Sequence, residues 1–544
     1  MKVAPYTHVL GSRAWLVGVV GLGVSLRLAH LRALRATPWF DHLVIDPEYY
    51  DAWAQRIAAG AWIGSEPFYM DPLYPYVLGL LYRICGHDLL LARMFNVACS
   101  AVTILCAARL GRRVGGPAVG GIAALGLALY KPDIFATGEI DKTSLSMLLA
   151  TSFLALACGR SLASRFGTGI TLALTALTRA NFLIFAPLIA LAYLLDPIDR
   201  HAHLGRVPRS LAYVAVFATG FALTLAPVAW HNHHVSGAWI LTTAQAGQNF
   251  YTGNNPSNPY GAYGIVPFVR ANPNFEQHDF RAEAERRTGH TLEAGAVSRY
   301  WFGASLTHMR EQPGFAARAF ARKFALFWND FEISDSQDQY LVARESWILR
   351  LPLLGFGLLV PFALLGGLAA FRAHRRVRLL TGFVAVYCAT LVAFFLFSRY
   401  RIQVVPALLP LAGVGVMALV ARVRERDLRQ LAIALCVLAG ASAFSFQTIG
   451  LFTPDHPRVI EHRLRHLAAL YTTTGDPARA IAVLHEAVPH CTHGCPWALK
   501  DLFDLYMRTE RFEEGVAYFR VFIPAHPGQA DAPGYLAALE AASG

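Results

Sequence analysis

Between residues 14 and 450 the chain alternates long apolar runs with short gaps rich in arginine, and no other feature limits its fold as strongly. A helix of about 18 or more apolar residues crosses the roughly 30 Å hydrocarbon core of a bilayer. With 55% hydrophobic and only 15% charged residues, a water-soluble packing would leave these runs without enough polar surface to cover them. The net charge of +12 is carried largely by the gaps: Arg109, Arg112 and Arg113; Arg160 and Arg165; Arg200, Arg206 and Arg209; Arg372, Arg375, Arg376 and Arg378; Arg422, Arg424, Arg426 and Arg429. That placement is the positive-inside pattern of cytoplasmic turns. It implies a lipid bilayer as partner and excludes nucleic acid. Cys99, Cys106, Cys158, Cys388 and Cys436 fall inside apolar runs and read as packing residues. The basic N-terminus lacks a small-residue cleavage site before the first run continues, so it reads as an anchor rather than a removed signal.

Following the runs in order predicts an all-α polytopic membrane protein with about eleven transmembrane helices. The first covers residues 14–34, starting inside. Further crossings are expected near 89–108, 117–131, 143–159, 210–230, 347–370, 378–397, 402–421 and 430–450. Residues 166–195 are apolar except for Thr178-Arg179-Ala180-Asn181, which predicts two short helices meeting at an outward turn. Residues 72–85 are apolar but too short to cross, and fit an interfacial helix. Every basic turn then lies on one side. The loops 36–90, 132–142, 178–181, 231–345 and 398–401 lie on the other, with 36–90 and 231–345 the large ones.

The membrane domain is expected to span residues 1–452, and residues 453–544 change character to a small soluble α-helical repeat domain. Leu467-Ala468-Ala469-Leu470-Tyr471, Gly475-Asp476, Ala478, Ala480, Ile481 and Ala487 match a tetratricopeptide helix pair, and a weaker unit follows from Leu502 to Phe519. Cys491 and Cys495 stand between the two, and a disulfide, free thiols and a metal site all remain open for them.

Chemistry concentrates in residues 46–75, an acidic and aromatic stretch directly after the first apolar run. Asp46, Tyr50 and Ala54 are spaced by four, so one helical face carries acid, ring and small residue at the outer membrane surface. Read alone, the stretch is equally a solvated loop whose Asp46-Pro47 starts a helix. The run Asp46, Tyr50, Ala54, then Gly60-Ala61-Trp62, then Asp71-Pro72-Leu73-Tyr74 resembles the first external loop of type C fold membrane glycosyltransferases. The branch it is most similar to contains the protein O-mannosyltransferases and the lipid A aminoarabinose transferases. Ala107-Ala108-Arg109-Leu110-Gly111-Arg112-Arg113, Gly138-Glu139-Ile140-Asp141-Lys142, Leu177-Thr178-Arg179-Ala180-Asn181, Gly247-Gln248-Asn249-Phe250-Tyr251-Thr252-Gly253-Asn254-Asn255-Pro256 and Arg399-Tyr400-Arg401 follow in the family's order. The resemblance covers about residues 10–450.

The resemblance implies an inverting glycosyltransferase in a bacterial inner membrane, its active-site loops and C-terminal domain extracytoplasmic. Such an enzyme moves a sugar from a polyprenyl-phosphate carrier to a protein, lipid or glycan acceptor. Asp46 matches the catalytic aspartate, with Glu48 and Asp51 as in-loop alternatives; Arg179, Arg399 and Arg401 match cations at the carrier phosphate. Tyr50, Asp51, Asp71, Tyr74, Glu139, Asp141, Lys142, Gln248, Asn249, Tyr251 and Asn254 are the expected substrate-binding residues. Asp71 departs from the pattern, since relatives place Lys or His there and a carboxylate cannot pair with phosphate. His231, His233 and His234 read as an interfacial cluster rather than a metal site. No cofactor is required by the pattern, although a divalent cation could be accommodated. The competing readings are a transporter, disfavoured because the acids gather in loops rather than at mid-membrane, and a scaffold working through its helical tail.

Overall fold

A computed structural model describes residues 9–195, 206–264, 266–270, 272–490 and 496–544. Cys491 and Cys495 lie outside the described residues. The described chain is helical throughout and divides into two compact units.

The larger unit comprises residues 1–32, 43–336 and 348–447. Among the described residues six helices are long and apolar enough to cross a membrane: Arg13–Leu34, Leu89–Gly115, Arg209–Ser236, Arg375–Ala393, Ser398–Glu425 and Leu428–Ser445. This corrects the expected eleven. The two short helices expected over residues 166–195 are present as Leu162–Ala176 and Phe185–Leu194, and the remaining expected crossings form short helices, Pro117–Ala128, Thr143–Ala157 and Phe356–Ala370. At 15 residues Thr143–Ala157 is only about 22 Å long, less than a hydrocarbon core. Apolar runs interrupted by Gly, Pro and turn residues look continuous to a hydropathy reading, but the backbone breaks at the interruptions.

A charge within this apolar bundle must be matched. Arg27 of the first long helix is fully buried and pairs with Asp133. Its Nε donates to Ser100 Oγ (2.7 Å), and its Nη atoms donate to the carbonyls of Gly23, Leu127 and Ala128. Ser100 Oγ in turn donates to Asp133 Oδ2 at 2.6 Å. Four helices are thereby tied together, Arg13–Leu34, Leu89–Gly115, Pro117–Ala128 and Lys131–Ala136, the last of which leads into the loop that carries Glu139 and Asp141.

The segment after the first long helix forms two short helices packed side by side, Asp46–Ala58 and Leu73–Cys85, which run in the same direction: Tyr50 meets Tyr74, Trp53 meets Tyr76, and Arg83 donates to the carbonyl of Ala58. They approach closely because residue 79 is glycine: a Cβ there would lie 2.9 Å from the carbonyl oxygen of Ala54. Between them Tyr50, Ala54, Tyr74, Leu78 and Tyr82 form a dry core. The second helix is the one expected at the interface. The long polar segment folds into the helices Ala246–Asn254, Pro273–Thr288, Ala294–Glu311 and Pro313–Trp328, with Phe280, Val297 and Trp301 at the core of the middle two.

The smaller unit gathers residues 33–42 and 337–347 with 448–544. Pro457–Thr473, Pro477–Ala487, Pro496–Arg508, Phe512–Ala525 and Ala532–Ser543 are its main helices. Leu464, Leu467, Ile481, Leu484, Leu502, Leu505 and Phe519 are buried. Asp338 ties the inserted segment to this unit: it accepts from the Tyr340 and Leu341 amides, capping Gln339–Glu345, and from Arg463 Nε at 2.8 Å.

Candidate active site

Asp46 is the first residue of its helix, with Pro47 setting the helical start. The preceding Ile45 has φ 58°. A β-branched residue in that region is strained, and strain of this kind collects at functional sites. Neither Asp46 oxygen is used as a helix cap. Instead Asp46 Oδ2 lies 2.7 Å from Arg399 Nη2, and both side chains are at least nine-tenths buried.

Arg399 is the centre of the site. Besides Asp46 it pairs with Asp335, and its Nη1 is 3.5 Å from Asp141 Oδ2. Asp141 is held in place from the other side, because its oxygens accept from Thr143 N and Thr143 Oγ1, both at 2.8 Å. Those bonds cap the start of the Thr143–Ala157 helix, where negative charge is favoured. Arg179 closes the arrangement. Its Nη2 donates to the Arg399 carbonyl (2.7 Å) and to Thr143 Oγ1 (3.2 Å), and its guanidinium sits 4.8 Å from the Tyr400 ring centroid. Among the described residues the buried Nε atoms of Arg179 and Arg399 have no acceptor, and the buried hydroxyl of Tyr50 has no partner.

Carboxylates outnumber the cations here, and burial raises several of them above the ordinary carboxylate range. Burial pushes the Asp335 carboxyl up to about 7, and Arg399 offsets this only in part. Burial also pushes Glu139 well above the ordinary carboxylate range, with Asp141 adding to the effect. Glu276, in the first turn of Pro273–Thr288, is raised to about 7 by burial and next by the charge of Asp46. Tyr263 Oη donates to Glu276 Oε1 at 3.3 Å. Aromatic side chains form one wall. Tyr49 and Trp53 are neighbours on the Asp46–Ala58 helix, Trp53 meets Phe68 and Tyr76, and Phe68 stacks on His231 at 4.4 Å.

The expected residues separate into groups. Asp46, Asp141, Arg179 and Arg399 converge, and Glu139 is close enough to feel their charges. Asp71 pairs with Lys142, whose ammonium lies 5.6 Å from the Tyr50 ring centroid; Tyr50 meets Tyr74 edge-on. The departure at position 71 thus has a structural account, since the carboxylate neutralises a buried lysine. Asp51 faces elsewhere. It accepts from Gln55 Nε2 and Tyr82 Oη (both 2.6 Å) and lies 3.1 Å from His87 Nε2. Arg401 is saturated by Glu332 (2.8 Å) and by the carbonyls of Leu326, Asn329 and Phe331, which ties it to the segment that ends the Pro313–Trp328 helix. In the Ala246–Asn254 helix, Tyr251 packs on Trp301, and Asn254 bridges Ala393 O and Lys323 Nζ. Asn249 is half-buried, and Gln248 is buried with no partner for Oε1 among the described residues.

Asp335 and Glu276 were not anticipated from sequence. Asp335 lies in the irregular run Phe331–Ser336, where no periodicity marks a face; two acids among aromatic and apolar neighbours were the only signal. Among the described residues no three His, Cys, Asp or Glu side chains are grouped to hold a metal ion. Asp46, Asp141 and Asp335 are turned instead onto the guanidinium of Arg399.

Residues 65–230 match the family model described as dolichyl-phosphate-mannose-protein mannosyltransferase. No curated protein sequence matches the chain. Similar solved structures include the oligosaccharyltransferase of Archaeoglobus fulgidus in its apo form, with a TM-score of 0.44 at 15% identity over 84% of this chain and 58% of that one. The same organism's AglB, in complex with an inhibitory peptide and a dolichol-phosphate, gives 0.40 at 15% identity over 83% and 58%. ArnT from Cupriavidus metallidurans bound to undecaprenyl phosphate gives 0.32 at 15% identity over 75% and 79%. The chain therefore spans 58% of the length of the first of these.

Proposed function

We propose that this protein is a polyprenyl-phosphate-dependent glycosyltransferase of the type C fold, working at the extracytoplasmic face of a bacterial inner membrane. One observation carries the reading: a buried carboxylate, Asp46, is held by Arg399 beside two guanidinium Nε atoms that lack acceptors among the described residues. A carboxylate poised to take a proton, next to unsatisfied cationic donors, suits displacement of a phosphate leaving group. The family match over residues 65–230 supports the same donor chemistry.

In this reading Asp46 accepts the proton of an acceptor hydroxyl as that oxygen attacks the anomeric carbon. The bond from that carbon to the carrier phosphate breaks, the electron pair leaves with the phosphate, and the configuration inverts. Arg179 receives the phosphate through its free Nε edge, since guanidinium N–H groups match phosphate oxygens. Asp141 and Asp335 hold Arg399, and Arg399 holds Asp46, so these three act as positioning residues. Tyr49, Trp53 and Phe68 offer ring faces to sugar, and Glu276 with Tyr263 offers hydroxyl-recognising groups. The carrier-linked sugar, the bilayer and a protein, lipid or glycan acceptor are the partners. Residues 453–544 form a tetratricopeptide-like domain that docks the acceptor.

The test is an Asp46→Asn variant reconstituted with lipid-linked sugar. It should retain membrane expression and thermal stability yet lose transfer by about a hundredfold or more, the scale of a general base. Turnover like that of the unmodified protein would exclude Asp46 as the base.

A further inference from the structure

At the other end of the bundle the basic turns border a half-open cavity of about 330 Å³, with Arg160, His374, Arg375 and Arg376 among its nine lining residues. The two ends belong to the same helices. Thr143–Ala157 has Asp141 at its start and the cavity at its finish, while Arg375–Ala393 begins at the cavity. We propose that this cavity is a binding site for a phosphate group, supplied by an anionic lipid headgroup.

The charge is one-sided: three arginines and a histidine line the space, and none of the nine lining residues is acidic. A concave basic surface beside low-dielectric protein concentrates its field and draws anions. A positive-inside turn needs only charge in water; here the turns fold around a half-open concavity and are bonded to each other. Arg113 donates to the carbonyl of Ala155, and Arg376 donates to the carbonyl of Arg113, which ties the two turns together. Arg160 is exposed and makes no hydrogen bond or ion pair among the described residues. The Arg375–Ala393 helix begins at the cavity, so the positive end of its dipole lies there.

The remaining walls identify the source of the phosphate. Val114, Ala157, Ala373 and Leu379 are apolar, as suits a ligand whose phosphate continues into a glycerol and acyl portion. The short Thr143–Ala157 helix sets the cavity about 22 Å from the carboxylate cluster, within the thickness of a bilayer. Basic pockets between helix ends on this side of a membrane receive lipid headgroups.

The experiment compares lipid retention by the full-length protein, purified from vesicles of phosphatidylcholine mixed with phosphatidylglycerol, by native mass spectrometry. Phosphatidylglycerol should be retained in preference to phosphatidylcholine. Arg160→Gln should weaken this about tenfold, and Arg160→Gln combined with Arg376→Gln about a hundredfold, the usual cost of losing charge-assisted hydrogen bonds. Ala373→Trp, which fills the space and keeps every charge, should also abolish retention. Arg422→Gln with Arg424→Gln and Arg429→Gln removes charge from another basic turn and should leave it unchanged. Equal losses in that control and in the cavity variants would overturn the site in favour of diffuse surface charge, and so would undiminished retention by Ala373→Trp. Saturable binding of inorganic phosphate without retention of phosphatidylglycerol would overturn the lipid as its source.

Discussion

Removing Arg399 is the most demanding test of the site. Its guanidinium lies 2.7 Å from Asp46 and 3.5 Å from Asp141, and it also pairs with Asp335. At an effective dielectric of about 20, each of the two measured contacts is worth about 5–6 kcal/mol of Coulomb attraction. Much of that offsets the desolvation of the guanidinium, so breaking such a buried set is expected to cost about 3–5 kcal/mol net. In Arg399→Gln the carboxylates lose their common cation, and Asp335, already raised to about 7 by burial, loses the charge that holds it down and rises further. Protonated carboxyls dominate below the raised titration range, so the acid limb of the transfer rate should move to higher pH. At neutral pH transfer should fall by about a hundredfold to a few thousandfold. Arg399→Lys keeps the charge but not the fork that reaches several carboxylates, and should recover part of the loss. The assay is transfer from a lipid-linked sugar across a pH series, with thermal unfolding measured alongside. A neutral-pH rate and a pH profile both unchanged in Arg399→Gln would refute the role given to this residue.

Three further outcomes are expected. Asp335 and Glu276 are raised to about 7 from ordinary values of 3.8 and 4.5, so the folded state holds protons that the unfolded state releases. Their contribution to stability is full below about pH 4 and is lost as pH rises through 7; thermal melts should show this slope, and Asp335→Asn should flatten it. Gly366→Ala would put a Cβ 1.9 Å from the Leu411 carbonyl where Phe356–Ala370 crosses Val405–Glu425. It should destabilise the protein by about 1–3 kcal/mol or more, read as a lower melting temperature, and an unchanged melt would contradict the packing. Deleting residues 455–544 should reduce transfer to the native acceptor and spare transfer to a small soluble one; full transfer to the native acceptor would remove the docking role.

Sequence by itself determined the multi-pass membrane character, and it led to the expectation of one-sided basic turns and to the proposal of a site in residues 46–75. Each of these follows from local composition: an apolar run must leave water, arginines between runs favour one face, and an acid beside a span end is conspicuous. It also placed Asp46, Glu139, Asp141, Arg179 and Arg399 among the chemistry-bearing residues. What sequence could not supply was partnership. Arg399 and Arg401 stand two positions apart, yet one gathers Asp46, Asp141 and Asp335 while the other is consumed by Glu332 and nearby carbonyls. Asp46 and Asp51 share one helix, but five residues turn their side chains well apart, and Asp51 ends on Tyr82 and His87. Helix lengths were likewise hidden, because hydropathy averages over the breaks that split apolar runs. Only the tertiary structure decided which charge meets which. Ion pairs between residues hundreds of positions apart depend on how helices pack, and no local pattern encodes that distance.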